Sequence, residues 1–208
     1  MITQNNNRGG SMESKIKQNV LRLSNVIETV NWKDKEKYAN YLAQSYYYVR
    51  HSTRILSLAA SRFSLEDSAS HQRFLKHTHE ENNHEKLLLM DLKQLGKNID
   101  SYPEQNPIRA FYQIQYYMIE HISAATCLGF ILALEGLAVQ KGGWFYDLIS
   151  KTYGEKAGSF LRVHAKEDVE HFAQAVELVA KMGEKDQAEI LKAMDTSCYL
   201  FARMLLDL

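Results

Sequence analysis

The sequence predicts an all-α fold, a single bundle of about seven helices. The chain of 208 residues contains only 2 prolines and 10 glycines, which is too few for the many tight turns of a barrel or a sandwich. Apolar residues recur at helical spacing over most of its length. We therefore expect one helical domain over residues 12–208, preceded by a disordered leader at residues 1–11 that is rich in asparagine and glycine.

Turn signals divide this domain into its elements. Gly96 has the position of a glycine just past a helix end, Pro107 fits a first helical turn, and the pair Gly142 and Gly143 is expected to end a helix. Seven helices are therefore predicted, over residues 12–30, 34–61, 65–95, 107–140, 144–153, 155–182 and 184–208.

Charge and cysteine content restrict the partners and the compartment. The 25 Lys and Arg residues balance 25 Asp and Glu residues, which gives no reason to expect nucleic acid or an anionic membrane surface as a partner. Cys127 and Cys198 are too few for a disulfide framework and suit a reducing cytosol. The longest apolar run, residues 128–139, is interrupted by Glu135 and is too short to span a bilayer. We expect a cytoplasmic protein without a membrane span.

Two short motifs carry most of the chemical information, because both have the pattern His-x3-acid-x2-His. At about 100° per residue, steps of four and seven residues return to within about 40° of the starting direction, so each triplet is expected on one helical face. Imidazole and carboxylate together suit Fe, Mn or Zn. The triplets are His77, Glu81 and His84, and His164, Asp168 and His171.

Glu135 adds a third element, because it lies in a run, residues 127–139, that is apolar all round and should be buried on every side. An unpaired carboxylate there would cost several kcal/mol or stay protonated. A metal ion is one partner for it, and an Arg or Lys from another helix is the alternative. With the two triplets, it makes three carboxylates and four imidazoles, enough for two metal ions that each keep an open position.

The chain from about residue 41 to residue 175 resembles the haem-oxygenase-like di-metal oxidases, often called iron-containing redox enzymes, among them the CADD-like proteins. The motifs that carry the resemblance are residues 46–52, 77–84, 134–136 and 160–171. It implies a seven-helix haem-oxygenase-like (TenA-like) up-and-down bundle without haem. It also implies two bound iron ions, with manganese able to replace one of them, which activate O2.

This resemblance also implies a ligand set. Five residues fall directly on ligand positions of the family: His84, Glu135, His164, Asp168 and His171. The remaining carboxylate can stand three or seven residues before the histidine of the first motif. Here these positions hold Glu81, which we take as the ligand, and His77, a departure from the family pattern that we also expect to bind metal. Glu80 is the alternative if the helix is rotated.

Further candidates lie on the second predicted helix. Tyr46, Tyr47 and Tyr48 span about 200° of helix, so at least one should face the interior. Tyr47 and Tyr48 are candidate catalytic residues, since in one branch of the resembled family, which forms p-aminobenzoate, a tyrosine of the protein is the starting material. A buried tyrosine of the core is the alternative. Arg50 and Arg54 are one turn apart and could hold a substrate carboxylate, with surface ion pairing as the alternative.

The leading functional hypothesis is a di-iron oxidase or oxygenase that acts on a small organic substrate, with a fatty acid, an amino acid and an internal tyrosine all open. A homo-oligomer is expected, since dimers are common for such bundles. Three alternatives are a metal-independent enzyme of the same fold, thiaminase-like or PQQ-synthase-like, a ferritin-like protein that stores or senses metal, and an interaction module without metal. The two histidine triplets argue against the first alternative, which has no use for so many ligand-type side chains.

Overall fold

The computed structural model describes residues 11–208, and no strand occurs among them. Counting α2–α3 and α4–α5 as two helices that are each interrupted once, this part of the chain forms seven helices, so the predicted all-α class is confirmed. The leader predicted at residues 1–11 lies outside the described residues except for Ser11, whose side chain caps α1. The helices are α1 Met12–Thr29, α2 Lys35–Val49, α3 Ser52–Arg62, α4 Ser68–Glu80, α5 His84–Gln94, α6 Asn106–His121, α7 Cys127–Tyr153, α8 Ser159–Ala180 and α9 Glu184–Leu206.

The first interruption divides the helix predicted over residues 34–61. It falls between α2 and α3, at Arg50 and His51. The His51 ring stacks on Tyr112 of α6, with ring centroids 4.0 Å apart, and its Nδ1 lies 3.0 Å from the Tyr116 hydroxyl. These contacts with α6 stabilise the backbone at the interruption. They could not be predicted from the helical periodicity of the segment itself.

The second interruption divides the helix predicted over residues 65–95. Glu81 is the C-cap of α4, Asn83 has a left-handed backbone with φ of 71°, and His84 is the first residue of α5. Asparagine tolerates this conformation better than most residues. The first triplet therefore does not lie on one helical face, as the spacing predicted, but on two successive helices. The second triplet does lie on one uninterrupted helix, α8.

The boundary between α6 and α7 also differs from the prediction. The helix expected over residues 107–140 breaks at Ser123, whose hydroxyl accepts a hydrogen bond from the Ala125 amide at 3.2 Å. Then α7 continues for 27 residues through Gly142 and Gly143. A Cβ at Gly142 would lie 3.1 Å from the Cβ of Ala165, so this glycine serves the close packing of α7 on α8 instead of ending the helix. The actual end is Gly154, with φ of 90°.

The long helix α7 lies at the centre of the bundle and packs against α1, α8 and α9. By length and composition alone, the segment Ala124–Tyr153 is apolar enough to cross a membrane, but 72% of its most apolar window is buried inside the bundle. The central helix of a bundle has the same apolar composition, because it is covered by other helices on all sides. Its burial places Glu135 in the interior, as predicted.

Asp91 of α5 connects this helix to the beginning of α8. Its Oδ1 accepts a hydrogen bond from the Ser159 amide at 3.1 Å, and its Oδ2 accepts one from the Phe160 amide at 2.9 Å. The carboxylate is fully buried. Burial raises the pKa of Asp91 to about 6, although the two amide hydrogen bonds act in the opposite direction.

We expect Asp91 to make the protein less stable as the pH rises from about 4 to about 6. Because the pKa is higher in the folded protein than in the unfolded chain, the folded protein binds the proton more tightly over this range. The difference between the unfolding free energy of Asp91→Asn and that of wild type should therefore increase by about 3 kcal/mol from the lower to the higher pH. Urea unfolding of both proteins at several pH values measures this difference, and a difference that is flat or decreases would contradict the prediction.

Candidate metal centre

The seven side chains predicted as metal ligands come together between α4, α5, α7 and α8. They form three overlapping groups, and within each group one potential ligand atom per residue lies within 4.8 Å of the others. The groups are His77, Glu135 and His171; Glu81, His84 and His164; and Glu81, Asp168 and His171. We call the first group the inner cluster and the second the outer cluster.

The inner cluster is buried and joins three helices. His77 Nε2 of α4 lies 3.1 Å from Glu135 Oε1 of α7, and His171 Nδ1 of α8 lies 3.9 Å from the same oxygen. The imidazole rings of His77 and His171 have their centroids 4.7 Å apart. Two imidazoles and one carboxylate therefore face a common point with almost no access to solvent.

The outer cluster lies closer to the surface. His84 Nδ1 lies 3.3 Å from Glu81 Oε2, and the His84 and His164 rings have their centroids 4.9 Å apart. The side chain of His164 keeps 16% of its surface exposed, whereas that of His77 keeps 2%. The two clusters thus have the same kinds of ligand atoms but a different distance from solvent.

Two carboxylates connect the clusters, because each contacts a histidine from both. Glu81 Oε1 lies 3.6 Å from His77 Nε2, and its Oε2 is the oxygen that faces His84. Asp168 Oδ1 lies 3.2 Å from His164 Nδ1 and 3.7 Å from His171 Nδ1. The Glu81–His84 and Asp168–His171 pairs have the spacing of the acid-x-x-His motifs of di-metal sites in helical bundles, and His77 and His164 are additional to that pattern.

Many polar atoms of this centre are buried without a hydrogen-bond partner, which is unusual for a protein interior. Each such atom costs about 1–3 kcal/mol if it remains unsatisfied. A cation in the centre would be coordinated by one nitrogen of each imidazole and by the carboxylate oxygens, and the absence of thiolate from the set favours iron or manganese over softer metals. The residues therefore fit a metal centre. The unpartnered atoms are His77 Nδ1 and Nε2, His84 Nδ1, Glu135 Oε2, His164 Nε2 and His171 Nδ1.

The charges of the centre are mutually dependent. Burial lowers the pKa of His77, but Glu135 and Glu81 outweigh it and raise this pKa to about 9. Asp168 in the same way outweighs burial and raises the pKa of His164 to about 9. Burial raises the pKa of Glu135. The carboxylates thus favour protons on both imidazoles, and a metal ion, which needs neutral imidazoles, would displace those protons.

Glu80, the alternative ligand to Glu81, lies beside the inner cluster and belongs to none of the groups of potential ligand atoms. Its Oε2 lies 3.2 Å from His171 Nε2, the ring nitrogen on the opposite side from Nδ1. The geometry therefore brings Glu81, and not Glu80, into the groups of potential ligand atoms.

A cavity of about 100 Å³ adjoins the centre. Its walls are mostly apolar, and Tyr48 and Tyr41 are the tyrosines that line it. Burial raises the pKa of Tyr48 well above its ordinary value and that of Tyr41 to about 12, so both phenols are neutral. Sequence reasoning missed Tyr41. The available signal was its spacing of seven residues, two helical turns, from Tyr48, which puts both side chains on one face of α2.

Three other candidate residues do not reach this cavity. Tyr47 lies on a different face of α2, where its hydroxyl donates a hydrogen bond to the Tyr102 carbonyl at 2.8 Å. Arg50 lies 3.9 Å from Glu104 at the surface, and Arg54 donates to the Arg50 carbonyl at 2.8 Å. The structure therefore gives no support to a catalytic Tyr47 or to substrate binding by the two arginines, because their faces of α2 and α3 turn away from the centre.

The fold and the composition of this centre define an all-α protein of the haem-oxygenase-like class. Residues 39–202 match the family model described as iron-containing redox enzyme. Since this match covers most of the chain, the protein belongs to the family of iron-containing redox enzymes. No curated protein matches the chain.

Solved structures of similar fold come from several bacteria. A domain of unknown function with a haem oxygenase-like fold from Shewanella denitrificans is 20% identical, with a TM-score of 0.82 over 94% of this chain and 90% of that one. A TenA homologue from Pseudomonas syringae pv. tomato is 14% identical, with a TM-score of 0.75 over 95% and 93%. A CADD-like protein of unknown function from Nostoc punctiforme is 14% identical, with a TM-score of 0.69 over 96% and 99%. At these identities the likeness establishes the fold alone.

Proposed function

We propose that the protein is a non-haem di-iron oxidase or oxygenase that uses O2 to oxidise a small organic substrate. The observation that carries this proposal is the pair of clusters, each with two imidazoles and a carboxylate, connected by Glu81 and Asp168 beside an apolar cavity. Membership of the iron-containing redox enzymes supports iron as the metal. Manganese, which accepts the same ligands, could occupy one of the two sites.

Each cluster has a defined role in this proposal. His77, Glu135 and His171 would hold one ion, and Glu81, His84 and His164 would hold the other, with Asp168 in reach of both. Bound ferrous iron supplies the electrons for the reduction of O2. The protein positions the ligands, leaves coordination positions free, and keeps most water away from the reacting atoms.

The cavity would bind the substrate, and its lining restricts the substrate class. Leu134 and Phe160, which come from the two helices that carry Glu135 and His164, form part of its wall. A substrate with a mainly apolar surface would be favoured there, because polar groups would lose their hydration without replacement.

Anaerobic reconstitution with Fe(II), followed by metal analysis and exposure to O2, tests the proposal. We expect about two iron ions per chain and O2 uptake that depends on the bound iron. Binding of less than one iron per chain would contradict the di-iron proposal. A ferritin-like protein would bind iron without catalytic O2 uptake in the presence of substrate, and a thiaminase-like enzyme of this fold would retain its activity in the presence of a chelator.

A second candidate, favoured by the two tyrosines that line the cavity, is oxidation of a tyrosine of the protein itself. Tyr48 is the candidate that lies both in the motif resembling the family and beside the metal centre. Incubation of the reconstituted protein with O2 should then change its intact mass, and Tyr48→Phe should abolish this change. Its neighbour Tyr47, which lies outside the cavity, supplies the matched control Tyr47→Phe. An unchanged mass of the wild-type protein would eliminate this candidate.

A further inference from the structure

Both metal-binding motifs contain an additional acidic residue directly before the carboxylate that faces the clusters. In the first motif Glu80 precedes Glu81, and in the second Glu167 precedes Asp168. Neither belongs to a group of potential ligand atoms. A step of one residue turns a helical side chain by about 100°, so these acids point beside the clusters and not into them.

Glu80 contacts the last histidine of the other motif. Its Oε2 lies 3.2 Å from His171 Nε2, while the opposite ring nitrogen, Nδ1, is buried without a hydrogen bond at 3.7 Å from Asp168 Oδ1. The His171 ring is therefore held between a carboxylate on its outer side and the clusters on its inner side. Lys76 Nζ lies 3.2 Å from the other oxygen of this carboxylate, Glu80 Oε1.

Glu167 has the corresponding position on the other side of the centre. Its Oε2 lies 3.9 Å from His84 Nε2, and His84 Nδ1 is the nitrogen that faces Glu81. A separation of 3.9 Å is longer than a hydrogen bond, and the Glu167 side chain is 44% exposed, compared with 28% for Glu80. Glu167 is thus near the outer nitrogen of His84 but not hydrogen-bonded to it.

We propose that Glu80 is a positioning residue for the metal centre and that Glu167 has the same role to a smaller degree. This inference rests on the proposed function. The negative charge of the Glu80 carboxylate, 3.2 Å from Nε2, favours the His171 tautomer that carries its proton on Nε2 and whose Nδ1 lone pair faces the clusters. A carboxylate on the far nitrogen of a metal-binding histidine fixes the ring orientation and makes the imidazole a stronger ligand.

The two contacts also cross the bundle. Glu80, at the end of α4, orients a histidine of α8, and Glu167 of α8 orients the histidine that begins α5. Each motif therefore supplies ligands to the centre and a carboxylate that supports a ligand of the other motif. In each motif only one of the two adjacent acids faces the clusters. The support that each motif gives to a ligand of the other explains the presence of the second acid.

Cobalt(II), a probe with a visible spectrum that reports its ligands, tests the inference without O2 chemistry. The affinity is measured by competition with a chelator in wild type and in Glu80→Ala, Glu80→Gln and Glu167→Gln. We expect Glu80→Ala to weaken binding about 10-fold to 100-fold and to change the cobalt spectrum. The effect of Glu80→Gln should be smaller, because the amide oxygen can still accept the Nε2 proton, and that of Glu167→Gln should be smaller still.

Glu170→Gln is the matched control. It removes one negative charge, as Glu80→Ala does, from the residue directly before His171. In the described structure the Glu170 carboxylate accepts a hydrogen bond from Gln174 at 2.7 Å. If Glu80→Ala binds cobalt with the affinity and the spectrum of Glu170→Gln, the inference is overturned. Weaker binding with an unchanged spectrum and no recovery in Glu80→Gln would indicate a general structural defect and would also overturn it. A wild-type protein that binds no cobalt would instead overturn the proposed function together with this inference.

Discussion

The double substitution His164→Ala/His171→Ala is expected to reduce bound iron from about two ions per chain to nearly none. The reason is that it removes one imidazole from each cluster and leaves Asp168, which contacts both rings, without a partner. Iron analysis after anaerobic reconstitution and desalting measures the effect. O2 uptake that depends on iron should disappear in parallel.

The control for this experiment is His79→Ala/His121→Ala, which removes two exposed histidines outside the centre. Because the substituted histidines of the test variant are mostly buried, circular dichroism should be used to establish that both variants retain their helical content. Iron binding at the wild-type level by a folded His164→Ala/His171→Ala protein would contradict the proposed site.

The substitution Gly129→Ala is expected to lower the unfolding free energy by about 3 kcal/mol, at the upper end of the usual cost of overpacking. A Cβ at Gly129 would contact the carbonyl oxygen of Ile190 and would lie 2.6 Å from the amide nitrogen of Met194. Both are backbone atoms of α9, so no change of rotamer can relieve the overlap, and α7 and α9 must move apart. Denaturant unfolding monitored by circular dichroism measures the change.

Gly143→Ala on the same helix provides the matched comparison. No atom lies within 4 Å of its Cβ position, so the substitution adds only helix propensity and should raise the unfolding free energy by roughly 0.5–1 kcal/mol. Opposite signs for the two variants are thus expected. A neutral Gly129→Ala would show that α7 and α9 do not pack as closely as described, and a destabilising Gly143→Ala would show that α7 does not continue through the glycine pair.

Helical periodicity and the scarcity of proline and glycine were sufficient to predict the fold class, and periodicity also predicted that the second triplet lies on one helix. The spacing of His164, Asp168 and His171 determines that they share a face of any uninterrupted helix, and α8 is uninterrupted. Glu135 could be recognised as a buried charge because apolar residues surround it on every side of its helix. Such local patterns are reliable because the α-helix turns by a fixed angle per residue, so the spacing of two residues determines the angle between their side chains.

Features that depend on neighbouring helices could not be predicted in the same way. Tyr47 and Tyr48 differ by about 100° around α2, and the rotation of that helix against the bundle decides which of them reaches the cavity. Gly142 and Gly143 have the composition of a helix end, but the packing of Gly142 against Ala165 keeps the helix intact. The sequence contains no local signal for either outcome.

The left-handed turn at Asn83 has a mechanical consequence for the centre. Six of the seven predicted ligand side chains are carried by α4 with its C-cap, α7 and α8, whereas His84 is carried by α5 beyond the turn. A rotation of the backbone about Asn83 would displace this one imidazole and leave the inner cluster intact. The inner cluster thus depends on α4, α7 and α8, whereas the outer cluster also requires the position of α5, which supplies one of its three side chains.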